Sequence, residues 1–138
     1  MFKKWFFTLI LCVFSFSTMA EEMKIKITVN NQVFSATLQD NPTTQYLIKM
    51  LPVDLMMTEL NGNEKYHQFS GKSFPSNSSI VKNIHNGDLM LFGNNYLVIF
   101  YKDFSQNSYT YTPLGKIDNP KDLAKTLGRG NVKVKIEK

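Results

Sequence analysis

Side chains that could do chemistry are few in this 138-residue chain, and their spacing is informative mainly for what it excludes. His67 and His85 lie far apart, with neither a paired cysteine nor a His-x-His spacing, so they lack the pattern of a zinc site. Gly71-Lys72-Ser73 ends like a phosphate-binding loop. The pattern needs a glycine five positions earlier, where Tyr66 stands, and no apolar strand leads into it. No Gly-x-Ser-x-Gly occurs, and the carboxylates are scattered rather than paired. Asp88 follows Gly87 and reads as part of a strand-entry turn. The chain's single guanidinium is Arg129. Neither a catalytic residue nor a metal or cofactor site is therefore assigned.

Binding chemistry has more material. Every aromatic residue beyond position 20 is Phe or Tyr, and several fall near loops: Tyr66, Phe69, Phe74, Phe104, Tyr109 and Tyr111. Tyrosine with nearby Asn and Ser suits an adaptable recognition surface, for a peptide or a sugar. The bland alternative is barrel core and loop packing. Met56-Met57 could line a pliable apolar pocket, although on an alternating strand one of the two must face the core. The ligand-binding candidates are Met57, Tyr66, His67, Phe69, Phe104, Tyr109 and Tyr111.

The elements that must position these residues are mostly short strands. Met23 to Asn30 alternates strictly, Asn30-Asn31 is a turn pair, and Gln32 to Leu38 returns as a hairpin partner. Asn41 as N-cap and Pro42 at the first helical position predict a helix to about Met50. Val53 to Leu60, the turn Asn61-Gly62-Asn63, and Glu64 to Phe69 suggest a second hairpin. Gly71 to Asn83 reads as loop, and Phe104 to Tyr111 as irregular. Asp88 to Phe92 and Tyr96 to Tyr101 form a third hairpin. Its nearly continuous apolar runs imply strands packed on both faces, or barrel strands covered outside by a helix. A short strand is expected over Thr112 to Ile117. Asp118-Asn119-Pro120 repeats the earlier punctuation, so a second helix is expected to Leu127, stopped by Gly128. Asn131 to Lys138 alternates like the first strand. The two terminal strands are natural neighbours in a closing sheet, with Lys24, Lys26, Lys133 and Lys135 on its outer face. The expected fold is mainly β: a closed barrel with two short capping helices.

Residues 1–20 read as a cleavable signal peptide. Lys3 and Lys4 form a positive start, Trp5 to Phe16 is almost wholly apolar, and Ser17-Thr18-Met19-Ala20 supplies the small residues of a cleavage site. The apolar run is shorter than the roughly 20 residues that span a bilayer, so an uncleaved anchor fits less well. Lipidation at Cys12 would want a small residue before it, and Leu11 stands there. Cleavage leaves residues 21–138 as one cysteine-free domain, periplasmic or secreted, that must rely on its apolar core. Losing Lys3 and Lys4 lowers the net charge from +5 to +3, which argues poorly for nucleic acid as a partner. No stable membrane insertion is expected after cleavage. The oligomeric state stays open.

Three segments carry a resemblance: Asn61-Gly62-Asn63-Glu64-Lys65-Tyr66, Gly87-Asp88-Leu89-Met90-Leu91-Phe92-Gly93 and Leu114-Gly115-Lys116-Ile117-Asp118. In this order, with the Leu123 to Leu127 helix and the final Val-Lys-Val strand, residues 23–138 resemble the small bacterial cyclophilin-like family. That resemblance implies a closed barrel of about eight strands with two helices. It leaves biochemistry open. Prolyl isomerisation is the activity that a cyclophilin-like fold brings to mind. Cyclophilins place an arginine in a Phe-His-Arg strand, followed by Phe-Met and Gln-Gly-Gly segments, and nothing here matches that pattern. Arg129 falls between the second helix and the last strand. The expectation is thus an exported binding module for a peptide or small ligand. The alternatives are a weak or atypical prolyl isomerase, or a structural or interaction protein of the envelope.

The signal-peptide reading makes a direct prediction. Intact-mass measurement of the exported protein should give a chain beginning at Glu21, whereas a mass retaining residues 1–20, or a lipid on Cys12, would refute it.

Overall fold

The computed structural model describes residues 8–15 and 23–138. Lys3, Lys4 and the expected cleavage site after Ala20 lie outside the described residues. Residues 8–15 have no regular secondary structure and are exposed throughout. No described helix is long and apolar enough to cross a membrane.

Strands β1 (Met23–Val29) and β2 (Gln32–Leu38) pair over their whole length, turning at Asn30-Asn31. Helix α1 (Pro42–Met50) follows, with a reciprocal cap. Asn41 Oδ1 accepts from the Thr44 N–H at 2.8 Å, and Thr44 Oγ1 accepts from the Asn41 N–H at 3.1 Å. Then come β3 (Val53–Leu60), β4 (Glu64–Gln68) and two very short strands, β5 (Ser79–Ile80) and β6 (Asn83–Ile84). After β7 (Asp88–Phe92), β8 (Tyr96–Phe100), the short β9 (Phe104–Ser105) and β10 (Thr110–Ile117), helix α2 (Leu123–Leu127) leads to β11 (Val132–Glu137).

All pairings are antiparallel, and the order β2-β1-β11-β3-β4-β8-β7-β10 closes through a β2–β10 pairing. The two terminal strands are neighbours as expected, with Ile27 opposite Ile136 and Thr28 opposite Lys135. Closure depends on Gly115, which sits opposite Leu38. A Cβ there would stand 2.1 Å from the Thr37 carbonyl oxygen, so no larger residue allows β10 to approach β2 this closely. The register shifts between Pro113, opposite Met90, and Gly115, opposite Leu89, so Leu114 is the extra residue of a bulge beside the proline, which has no N–H to give.

Apolar residues pack on both sides of the β7–β8 hairpin. Leu89, Leu91, Leu97 and Ile99 enter the barrel with Ile25, Ile27 and Val134. Met90, Val98 and Phe100 face outward into a second, smaller core with Ile84 and Tyr111. The cover over that outer face is not a helix. Val81, Ile84 and Phe104 supply it, from the segments on either side of the hairpin, and β6 pairs with β9 to hold them there. The polar Gly71–Asn83 stretch is therefore more than loop: Ser79 and Ile80 pair with Tyr111 and Thr110, extending β10 two residues beyond its expected start.

Helix α2 is shorter than the repeated Asp-Asn-Pro punctuation suggests. Asn119 accepts only a long 3.3 Å bond from the Lys121 N–H, and the Leu123 N–H donates to the Pro120 carbonyl instead. The helix starts where Leu123 and Leu127, one turn apart, can both be buried. The lysines of the terminal strands are exposed, but carboxylates interrupt them: Lys24 pairs with Asp118 at 3.2 Å, and Lys135 with Glu137 at 3.7 Å.

Lys65 is the unusual interior residue. It shares the inward face of the sheet with Ile99, its register partner, and is 0% exposed. Its ammonium donates to Glu59 Oε1 at 2.9 Å and to the carbonyls of Gly128 and Gly130 at 2.8 and 2.6 Å. The Tyr101 ring lies 5.4 Å away, and its hydroxyl donates to the same Glu59 oxygen. All three protons are satisfied, so the charge is tolerated. Removing it would leave Glu59 and the carbonyls of Gly128 and Gly130 without this donor. Lys65→Met should cost about 3–5 kcal/mol in chemical denaturation, while Lys133→Met on the exposed face should cost about 0.5 or less. Equal losses would contradict the inward assignment of Lys65.

Candidate functional site

Because side chains alternate along a strand, the residues flanking Lys65 face the other way. Glu64 and Tyr66 project from β4 to the outer surface, beside Tyr96, Val98 and Phe100 of β8. Phe92 is the register partner of Tyr96, and Tyr111 enters from β10. The Leu60–Asn63 turn, with Asn61 and Gly62 both left-handed at φ 55° and 66°, closes one side. Leu60, Asn61, Glu64, Tyr66, Phe92, Tyr96, Val98 and Tyr111, with Tyr109, line a groove of about 350 Å³.

The aromatic wall is built edge to face, except for a tilted Phe92–Tyr111 contact. Tyr66 meets Tyr96 at 6.0 Å between ring centres, Tyr96 meets Phe92 at 6.1 Å, and Phe92 meets Tyr109 at 6.2 Å and Tyr111 at 5.7 Å. Phe100 lies beneath, 5.5 Å from Tyr111. Leu60, Phe92 and Tyr109 remain substantially exposed, 40%, 39% and 59%, which concentrates uncovered apolar surface at the groove.

Among the described residues, Glu64 is the one charged side chain lining it. Its carboxylate has no hydrogen-bond or ion-pair partner among the described residues. Burial, and then the charge of Glu59, push it up to about 7 from an ordinary 4.5. Glu59 goes the other way: burial works to raise it, but hydrogen bonds from Tyr101, Lys65 and the Gly62 N–H outweigh that and hold it low. Burial also raises Tyr111 to about 12, helped by Glu64 and Tyr109.

Of the residues proposed from the sequence, Tyr66, Tyr109 and Tyr111 line the groove. Met57 is completely buried in the barrel, and Phe69 is nearly so, stacked against Phe74 at 5.3 Å. Neither reaches the groove. His67 lies on the opposite face of β4 from Glu64, its Nδ1 3.0 Å from the Met56 carbonyl and its ring on Phe69. Phe104 covers Phe100 at 5.7 Å as part of the outer core. Glu64, Phe92, Tyr96, Leu60 and Asn61 were not singled out, although the two-residue period running through Glu64 and Tyr66 carries the signal. His85 sits in the turn into β7, where Asp88 Oδ2 accepts its backbone N–H at 2.8 Å. No cluster of metal-ligating side chains occurs among the described residues. Arg129 lines a different concavity, with Glu59, Tyr101, Lys102 and Lys125.

The architecture and the sequence point to one family. Residues 27–137 match the cyclophilin-like family, and the chain belongs to it. The barrel is similar to the solution structure of a hypothetical protein from Archaeoglobus fulgidus, with a TM-score of 0.62 at 17% identity, covering 88% of this chain and 98% of that one. That likeness concerns the fold. The curated proteins provide no match.

The raised Glu64 carboxyl has a consequence for stability. A group whose folded pKa exceeds its unfolded value stabilises below the unfolded value and loses that contribution as pH rises through the folded one. For Glu64 the window runs from 4.5 to about 7. The melting temperature should therefore fall on going from about pH 5 to pH 8 more in the wild type than in Glu64→Gln. Parallel pH profiles in the two proteins would show that Glu64 is not raised.

Proposed function

We propose that this cyclophilin-like domain is an exported binding module whose ligand, a peptide segment or small molecule, sits in the aromatic groove. The observation that carries the reading is the groove itself: a concave site walled by Tyr66, Phe92, Tyr96, Tyr109 and Tyr111, with Glu64 as its charged anchor among the described residues and Asn61 beside it. Its volume is within the usual range for small-ligand sites, and an apolar wall with few polar groups is their common composition. Such a cavity also favours ligand binding over a purely structural envelope role, for which a flat patch would suffice. Export rests on the apolar Trp5–Phe16 run and the small residues after it; Thr8 to Ser15 stay exposed and join neither core. Release of residues 1–20 would place the domain in a periplasm or outside the cell.

The second reading, a weak or atypical prolyl isomerase, rests on Arg129 lying in the same concavity as Tyr101. A planar guanidinium is the donor suited to a twisting prolyl amide. Two features count against it. Lys102 and Lys125 share that concavity, and the aromatic groove, which could hold a proline ring, has no arginine.

Both readings meet one experiment on residues 21–138. Titration with neutral, blocked, proline-containing tetrapeptides and with disaccharides, followed by amide NMR, should shift Asn61, Glu64, Tyr66, Phe92, Tyr96 and Tyr111. Tyr96→Ala should abolish the response. In a protease-coupled assay with the same tetrapeptides, turnover should stay far below that of a cyclophilin and be unchanged in Arg129→Ala. Fast turnover lost in that variant would establish the isomerase instead, and shifts confined to other surfaces would remove the groove as the site.

A further inference from the structure

We infer that the groove is selective for organic cations: it takes a ligand through an ammonium group held between the tyrosine rings and the Glu64 carboxylate. The inference rests on the groove being the binding site and adds the chemical class of what it binds. Three observations converge on it.

The first is charge. Among the described residues Glu64 is the only charged one in the lining, and none of them gives its carboxylate a counter-ion although the chain as a whole is basic. The lysine next to it in sequence cannot supply one, because Lys65 is turned to the opposite face and committed to Glu59 and two carbonyls. The groups facing Glu64 are Glu59 from β3, Tyr66 from its own strand, Tyr96 from β8 with Tyr101 beyond it, and Tyr109 and Tyr111 at β10. None is cationic. A ligand cation would complete the ion pair that the fold leaves open.

The second is ring chemistry. Aromatic faces carry the negative end of a quadrupole and attract ammonium groups, most strongly where water is partly excluded. Four tyrosines and a phenylalanine surround the same cavity, and Phe92 and Tyr109 expose ring surface to it. An anion would meet both these faces and the carboxylate, and would be repelled by each.

The third is the proton. Burial and then Glu59 disfavour the charge and hold the Glu64 carboxyl up at about 7. A bound cation would reverse that preference and release a proton, so proton and ligand compete for one group.

Two matched pairs of probes test the inference on residues 21–138 by amide NMR titration. Choline is paired with its neutral isostere 3,3-dimethylbutanol, and Nα-acetyl-lysine amide with Nα-acetyl-norleucine amide. At least one cation should bind about tenfold more tightly than its neutral partner at pH 8. A preference for choline identifies a small quaternary amine, and a preference for the lysine derivative a basic peptide. Either advantage should shrink at about pH 5.5 and fall in Glu64→Gln, whose folding is checked separately by its amide spectrum and thermal melt. Equal affinity within both pairs would overturn cation selectivity while leaving the groove a binding site. Failure of all four probes alongside a response to the neutral tetrapeptides would do the same. Silence in every titration would overturn both readings.

Discussion

The buried ammonium of Lys65 is the constraint on which the rest of this barrel is organised. It sits on β4, takes its carboxylate from β3 and its two carbonyls from the turn between α2 and β11. One side chain thus ties a central hairpin to the strand that completes the barrel wall beside the first strand. A charge with no access to water is tolerable only when all its protons are used, so the α2–β11 turn must present its carbonyls inward. Gly128 and Gly130 occupy those positions, and the Tyr101 hydroxyl shares the Glu59 oxygen.

The same arrangement prepares the groove. Strand alternation sends Lys65 in and Glu64 out, so one carboxylate of the pair is neutralised and the other is left alone. Glu59, although itself paired, still repels Glu64 through the sheet and helps raise its pKa. An inward lysine is therefore linked to an outward acid that is half-buried, unpaired and ringed by tyrosines. The pairing of Glu59 and the exposure of Glu64 are two results of one register.

The aromatic wall depends on β7 and β8 being apolar on both faces. Their inner residues fill the barrel, and their outer residues need a cover that the two helices do not provide. The segments bearing Val81, Ile84 and Phe104 fold over part of the outer face, and Phe92, Tyr96, Tyr109 and Tyr111 remain around its uncovered edge. A groove forms where the cover stops. Membership of the cyclophilin-like family describes this barrel, but the chemistry belongs to these side chains.

Local physics was legible in the chain itself. Alternation marked the terminal strands and their lysine faces, Asn41-Pro42 marked the start of α1, and Asn61-Gly62 marked a turn, because each signal lies within a few neighbouring residues. The second Asp-Asn-Pro misled for a related reason: a cap is local, but the start of α2 is set by where Leu123 and Leu127 find the core. Tyr66, Tyr109 and Tyr111 were recognisable as potential binding residues by type alone. Their convergence with Phe92, Tyr96 and Glu64 was not, since these residues come from distant parts of the chain and meet only through the strand order. No short-range pattern says that Lys65 points inward and finds two glycine carbonyls more than sixty positions away. Composition and periodicity determine which face of each strand is apolar. Which faces meet, which charge finds a partner and which is left without one depend on closure of the barrel, because those contacts exist only once distant strands are side by side.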